Sequence, residues 1–63
     1  MKDIPMELKQ IIVEETVREL GDIFPTGGCE SLMDCFTVHD NSVLLWYNNH
    51  EGTTKLIRKP LPN

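Results

Sequence analysis

The chain has 63 residues, of which 40% are hydrophobic, and its ten acidic and six basic residues give a net charge of −4 at pH 7. This length fits one domain, taken as residues 1–63, and excludes folds that need two halves, such as a dinucleotide-binding unit. A chain this small buries only about 60% of its unfolded surface, so an enzyme with a deep cleft is not expected. The acidic balance disfavours nucleic-acid binding, which depends on clustered positive charge.

Apolar runs in the sequence are short. The longest, residues 43–47, is far below the ~20 residues of a membrane-spanning helix. The first residues carry no apolar signal-peptide core. We therefore expect a cytoplasmic protein with no membrane association. Two cysteines do not make the dense disulfide framework of a small secreted domain, so Cys29 and Cys35 are expected as reduced thiols.

Residues 5–20 are predicted to form a helix. Pro5 suits the first helical position, and Gly21 stands where a left-handed stop is expected. Apolar side chains recur at three- and four-residue spacing, with a threonine completing the stripe. The stripe consists of Leu8, Ile11, Ile12, Thr16 and Leu20. Further apolar residues widen this face beyond that of a helix with one partner. The helix therefore either lies in a curved sheet or also touches a second chain.

A connector over residues 21–30 follows the helix. Ile23 and Phe24 are expected to pin it to the core, and Pro25 to Gly28 form a turn or joint. The Thr-Gly-Gly stretch is not a phosphate-binding loop, because it lacks the lysine and hydroxyl residue that complete that motif.

Three strands are predicted from Leu32 onward, where apolar and polar residues begin to alternate. The first ends at the turn residues Asp40-Asn41, which tolerate positive φ. The second spans 43–48, and a turn over 49–52 places Gly52 in the left-handed position. The third spans 53–59 and stops at Pro60. The predicted fold class is α+β, with one N-terminal helix packed on a three-stranded antiparallel β-meander.

The turns also predict which residues face the helix. Val38 would lie opposite Val43, Phe36 opposite Leu45, and Leu45 opposite Leu56. The helix-covered face would carry Phe36, Val38, Val43, Leu45, Tyr47 and Leu56. The second face would carry Met33, Cys35, Leu44, Trp46 and Ile57 among polar side chains. Lys55 is expected opposite Trp46, in a cation–π pair.

Nothing else in the sequence is expected to cover the second face. Met33, Leu44, Trp46 and Ile57 are therefore predicted to form an apolar interaction patch. Small chains commonly need oligomerisation for stability, and two-fold dimers are the commonest assembly, so a homodimer is expected. An unidentified protein partner is the other occupant that the sequence leaves open. The alternative is that these side chains are scattered surface residues.

Charge is distributed unevenly along the chain. Residues 1–40 hold nine acidic and three basic residues, whereas residues 41–63 hold one acidic and three basic residues. This pattern predicts either a solvated surface or a match between an acidic helix and a basic last strand. Such a match could form within one chain or between two chains.

Several residue types invite a chemical function. Cys29, Cys35, His39 and His50 have the spacing C-x5-C-x3-H-x10-H, which matches no standard zinc pattern. The predicted strands separate the two histidines by about 20 Å, too far for one ion. Neither cysteine has a C-x-x-C partner. His39 and Ser42 flank one hairpin turn, but no cleft is predicted there. No metal, cofactor or catalytic residue is therefore predicted.

The sequence as a whole predicts a non-enzymatic interaction module that self-associates or binds a protein partner through the uncovered sheet face. The alternative is a thiol- or metal-dependent activity assembled from Cys29, Cys35 and His39 across a subunit interface.

Overall fold

A computed structural model describes residues 4–61. It contains helix α1 (Met6–Leu20), a short 3-10 helix (Leu32–Asp34), and strands β1 (Phe36–His39), β2 (Ser42–Asn48) and β3 (Thr54–Pro60). The strands form one antiparallel sheet in the order β1-β2-β3. The predicted α+β arrangement is confirmed. Neither helix in this part of the chain has the length and apolar character needed to cross a membrane.

Helix α1 packs on the sheet along a narrow strip. Ile12 and Thr16, one turn apart, are buried, and the Thr16 hydroxyl donates to the Ile12 carbonyl oxygen at 2.7 Å. Ile11 and Leu20 were predicted in this strip but are 50% and 54% exposed. Ile11 lies about 100° around the helix from Ile12 and therefore turns outward. Leu20 continues the line through Ile12 and Thr16, but it is the last residue of α1 and borders an open cleft. The helix ends as predicted, at Gly21 with φ 88°.

The core lies between α1 and the central strand. Every second residue of β2 points toward the helix, and Val43, Leu45 and Tyr47 are all buried. Ile23 is buried beside them and anchors the connector, as predicted. Phe24 was expected to do the same, but it is 46% exposed. Its backbone pairs with Asn48 on the β1 side of β2, at a position beyond the start of β1. This pairing turns the Phe24 side chain away from the core.

The connector ends in a compact turn in place of the predicted start of a strand. Met33 lies in the 3-10 helix, and β1 begins only at Phe36. This helix reverses the chain and brings Cys35 back to Cys29, with 5.7 Å between their Cα atoms. The two residues form a disulfide instead of the free thiols that were expected. Cys35 is buried in the core and not on the second sheet face.

The first hairpin has the predicted register. Asp40 adopts a positive φ of 55°, and the strands pair Val38 with Val43 and Phe36 with Leu45. The two-residue turn Asp40-Asn41 leaves no freedom for another register.

The second hairpin differs from the prediction by one residue. Leu45 lies opposite Ile57 and not Leu56, while Trp46 lies opposite Leu56. Asn48 pairs with Thr54, so residues 49–53 connect the two strands, one residue more than the predicted 49–52. The reason is that the Asn49 side-chain oxygen accepts hydrogen bonds from the Glu51 and Thr53 N–H groups, both at 2.9 Å. The Asn49 N–H in turn donates to the Thr53 carbonyl at 3.0 Å. Counted inside the Asn49–Thr53 pair, residues 50–52 form the three-residue loop with a left-handed glycine. The added residue exchanges the two faces of β3.

The changed register moves the basic side chains of β3. Lys55 lies opposite Tyr47 on the helix side, so its predicted pairing with Trp46 is wrong. Lys59 also lies on the helix side, and its ammonium group is 3.6 Å from the Glu15 carboxylate. The match between an acidic helix and a basic last strand therefore forms within one chain.

Gly52 provides a test of this loop. Its φ is 80°, and a Cβ built there meets no atom within 4 Å, so backbone conformation alone opposes a side chain. We expect Gly52→Ala to lower the free energy of unfolding by about 1 kcal/mol, measured by urea denaturation. Gly27→Ala is the matched control, because that position is equally open and has no positive φ. Equal stability of the two variants would contradict a left-handed requirement at Gly52.

Candidate interaction surface

The sheet face opposite α1 is called the open face. It is formed by the residues of β2 and β3 that alternate with the core residues, together with two residues of β1 and one of the connector. Its members are Phe24, Thr37, His39, Ser42, Leu44, Trp46, Asn48, Thr54, Leu56, Arg58 and Pro60.

Large apolar side chains are exposed on the open face. Phe24, Trp46 and Leu56 are 46%, 41% and 44% exposed, and Leu44 is half-buried. Trp46 and Leu56 are direct cross-strand neighbours. Phe24 meets the ring of His50 edge-on, with 5.7 Å between the ring centroids. The open face therefore presents a Trp–Leu pair in its middle and a Phe–His pair at one end.

Polar contacts hold the rest of the open face in place. Arg58 Nε donates to the hydroxyl of Ser42 at 2.9 Å, and Ser42 is buried beneath it. At the other end of the sheet the Thr54 hydroxyl donates to the side-chain oxygen of Asn48 at 2.8 Å. These contacts leave the guanidinium of Arg58 as the one permanently charged group among the members of the open face.

The structure places two of the four predicted patch residues on the open face. Leu44 and Trp46 lie there. Ile57 lies on the helix side, packed against the core, because of the one-residue change in the β2–β3 register. Met33 is half-buried in the 3-10 helix and is not part of any strand.

Two residues of the open face were missed by the sequence prediction. Leu56 replaces Ile57, and the signal for it was the Asn49-x-x-Gly52-Thr53 pattern of a three-residue loop. Phe24 has no comparable signal, since its position depends on an isolated bridge to Asn48 across 24 residues of chain.

The candidate chemical residues are separated by the fold. His39 is at the start of the first hairpin turn, where its Nε2 is 3.5 Å from the Asp40 carboxylate. His50 is in the loop at the opposite end of β2. Ser42 accepts its hydrogen bond from Arg58 and not from His39. Within residues 4–61, no group of three or more histidine, cysteine or acidic side chains is arranged to hold a metal ion.

A small cleft lies on the helix side, where the end of α1 meets the second hairpin. It has a volume of about 240 Å³ and is bordered by Asp22, Tyr47, His50 and Lys55, among others. Small-molecule sites usually enclose about 300–1,000 Å³. The cleft is thus below the usual size, and its borders carry both signs of charge.

The chain matches no protein-family model, and the comparisons with curated proteins and with solved structures found no similar protein.

Proposed function

We propose that this domain is a non-enzymatic interaction module that self-associates as a homodimer through its open face. The observation that carries the proposal is the exposure of Phe24, Trp46 and Leu56 on one side of a thin sheet whose other side is already filled by α1. Apolar surface gathered on one face typically marks a site of association. Aromatic side chains such as Trp46 contribute disproportionately to binding energy at interfaces.

Trp46→Glu tests the proposal directly. A charge placed in the middle of the open face would have to be desolvated on association, so we expect the dimer dissociation constant to rise at least about 30-fold. The measurement is sedimentation equilibrium over a range of concentrations. Met6→Glu is the matched control, because Met6 is 61% exposed on α1, away from the sheet. The control should leave the dissociation constant unchanged.

Tryptophan fluorescence gives a second, independent measurement of self-association. Trp46 is the single tryptophan of the chain. If the open face is buried on association, the emission maximum of the wild-type chain shifts to shorter wavelength as concentration rises, in step with the increase in mass. A wild-type chain that stays monomeric at millimolar concentration, with unchanged emission, would rule out self-association and leave a different protein as the occupant of the open face.

Thiol chemistry is a second candidate, favoured by the proximity of Cys29 and Cys35. His39 is not part of it within one chain, since it lies at the far end of β1.

We also propose a cytoplasmic location, where cellular reductants would convert this disulfide to two thiols. Alkylation of intact cells followed by mass spectrometry tests the location. Two alkylated cysteines are expected there, and a protected disulfide would indicate an oxidising compartment.

A further inference from the structure

We infer that the second copy docks along the outer edge of β3, so that two chains form one antiparallel six-stranded sheet with Leu56 on the two-fold axis. The inference rests on the proposed self-association and specifies its geometry. Three observations carry it. They are the direction of the free backbone groups of β3, the size and charge of the open face, and the positions of the charged side chains along β3.

The backbone of β3 is free along its outer side. Asn49 pairs with Thr53 and Asn41 with Leu61 through hydrogen bonds, so the odd-numbered residues of β3 bond to β2. The N–H groups of Thr54, Leu56 and Arg58 therefore point outward. In the described part of the chain, β3 has no strand on that side. Pro60 follows the same alternation, which explains why its missing N–H costs no bond in the sheet.

The open face by itself is too small for a stable stacked dimer. Its three exposed apolar side chains, each a little under half exposed, offer about 250 Å². A stable interface buries about 800 Å² on each partner. Stacking two open faces would also enclose two copies of Arg58, and burying unpaired charges is costly. Pairing at the edge supplies backbone hydrogen bonds and leaves the Arg58 guanidinium in water.

The charges of β3 select one register for the pairing. With Leu56 opposite the partner's Leu56, Thr54 lies opposite the partner's Arg58, and Lys55 lies opposite the partner's Ile57. All three outward N–H groups then bond to the partner. Moving the axis to residue 57 places Lys55 opposite the partner's Lys59, and moving it to residue 55 places Lys55 opposite the partner's Lys55. Like charges directly opposite one another are destabilising, so both neighbouring registers are disfavoured.

The selected register also joins the apolar surfaces of the two chains. Trp46 and Leu56 are neighbours within one chain, and the partner's Leu56 continues the same row to the partner's Trp46. Neighbouring strands are about 4.8 Å apart, so each of these four side chains packs against the next one in the row on the open face. Trp46 therefore contributes to the dimer although the contact is at the sheet edge.

Arg58→Pro tests the edge. The substitution removes an outward N–H and leaves the β2–β3 bonds intact, and the preceding residue, Ile57, is already in the extended conformation that a proline requires. Arg58→Ala is the matched control, because it loses the same bond to Ser42 but keeps the N–H. Two N–H bonds vanish from each dimer, so we expect Arg58→Pro to dissociate about 10- to 30-fold more readily than Arg58→Ala.

Charges placed at Thr54 test the register. Within one chain Thr54 is four residues from Arg58 along the strand, about 13 Å, too far for an ion pair. Across the axis the two are opposite. We expect Thr54→Glu to dimerise more tightly than the neutral Thr54→Gln. We expect Thr54→Lys to dimerise several-fold more weakly than Thr54→Gln. The double variant Thr54→Lys/Arg58→Glu should recover the lost affinity. All Thr54 variants lose the same bond to Asn48.

The outcomes separate this inference from the proposal on which it rests. A monomeric wild-type chain removes both. A wild-type dimer that Trp46→Glu dissociates, while Arg58→Pro matches Arg58→Ala, keeps the open face as the interface and overturns the edge pairing. If Arg58→Pro dissociates but Thr54→Lys does not differ from Thr54→Glu, the Leu56-centred register is wrong. The full set of expected shifts supports the six-stranded sheet.

Discussion

Leu45→Ala is expected to remove most of the stability of the domain. Leu45 is fully buried at 0% exposure, in the middle of β2 between α1 and the other strands. Truncation loses the transfer free energy of the removed carbons and leaves a cavity, which together cost about 3 kcal/mol. Small domains have total stabilities of about 5 kcal/mol, so the variant should be close to unfolding at 37 °C.

Leu56→Ala is the control for this prediction. It removes the same atoms from a side chain that is 44% exposed on the open face. In the monomer we expect the free energy of unfolding to fall by less than about 1 kcal/mol, because the exposed Leu56 side chain makes few packing contacts that truncation could remove. Urea denaturation of both variants at a concentration where wild type is monomeric separates the two. Similar midpoints would mean that the open face and the helix-covered face are equally buried in solution.

Reduction of the Cys29–Cys35 disulfide is expected to cost about 2 kcal/mol of stability. The bond joins residues six apart in sequence, so it closes a short loop. The chain-entropy relation for such a loop gives a value near this figure. In a domain of about 60 residues this corresponds to a fall in melting temperature of roughly 10 °C. Thermal unfolding with and without a dithiol reductant measures it.

The double variant Cys29→Ala/Cys35→Ala is the control for reduction. Its melting temperature should be low and should not respond to the reductant. A wild-type chain whose stability is also insensitive to the reductant would show that Cys29 and Cys35 are not joined in solution. Because Cys35 is 3% exposed, its alanine variant also loses some packing, so the comparison that counts is the response to reductant within each protein.

Agreement between sequence and structure was best where conformation is set within a few residues. Helix α1 begins after Pro5 and ends at Gly21, because a proline fits a helix start and the positive φ at its end favours glycine. The first hairpin follows from the two residues Asp40-Asn41, which dictate the pairing of every residue on either side. In both cases the relevant interactions join near neighbours in the chain.

The predictions failed where a side chain or a distant segment changes the backbone pairing. The Asn49 side chain adds Thr53 to the second loop, and this one residue moves Ile57 into the core and Leu56 onto the open face. The 3-10 helix removes Met33 from the sheet and brings Cys35 to Cys29. Alternating apolar residues fit both the predicted strand and this turn, so periodicity alone does not distinguish them.

The amino-acid sequence by itself determined the order of the elements, the position of α1 and the central place of Leu45, because helix signals, turn residues and alternation act locally. Only the tertiary structure decided which side of β3 faces water and that Phe24 joins Trp46 and Leu56 on the open face. The physical reason is that side chains alternate along a strand with a period of two. A single hydrogen-bonded loop residue therefore reverses a whole strand, and an isolated bridge between distant segments leaves no periodic trace in the sequence.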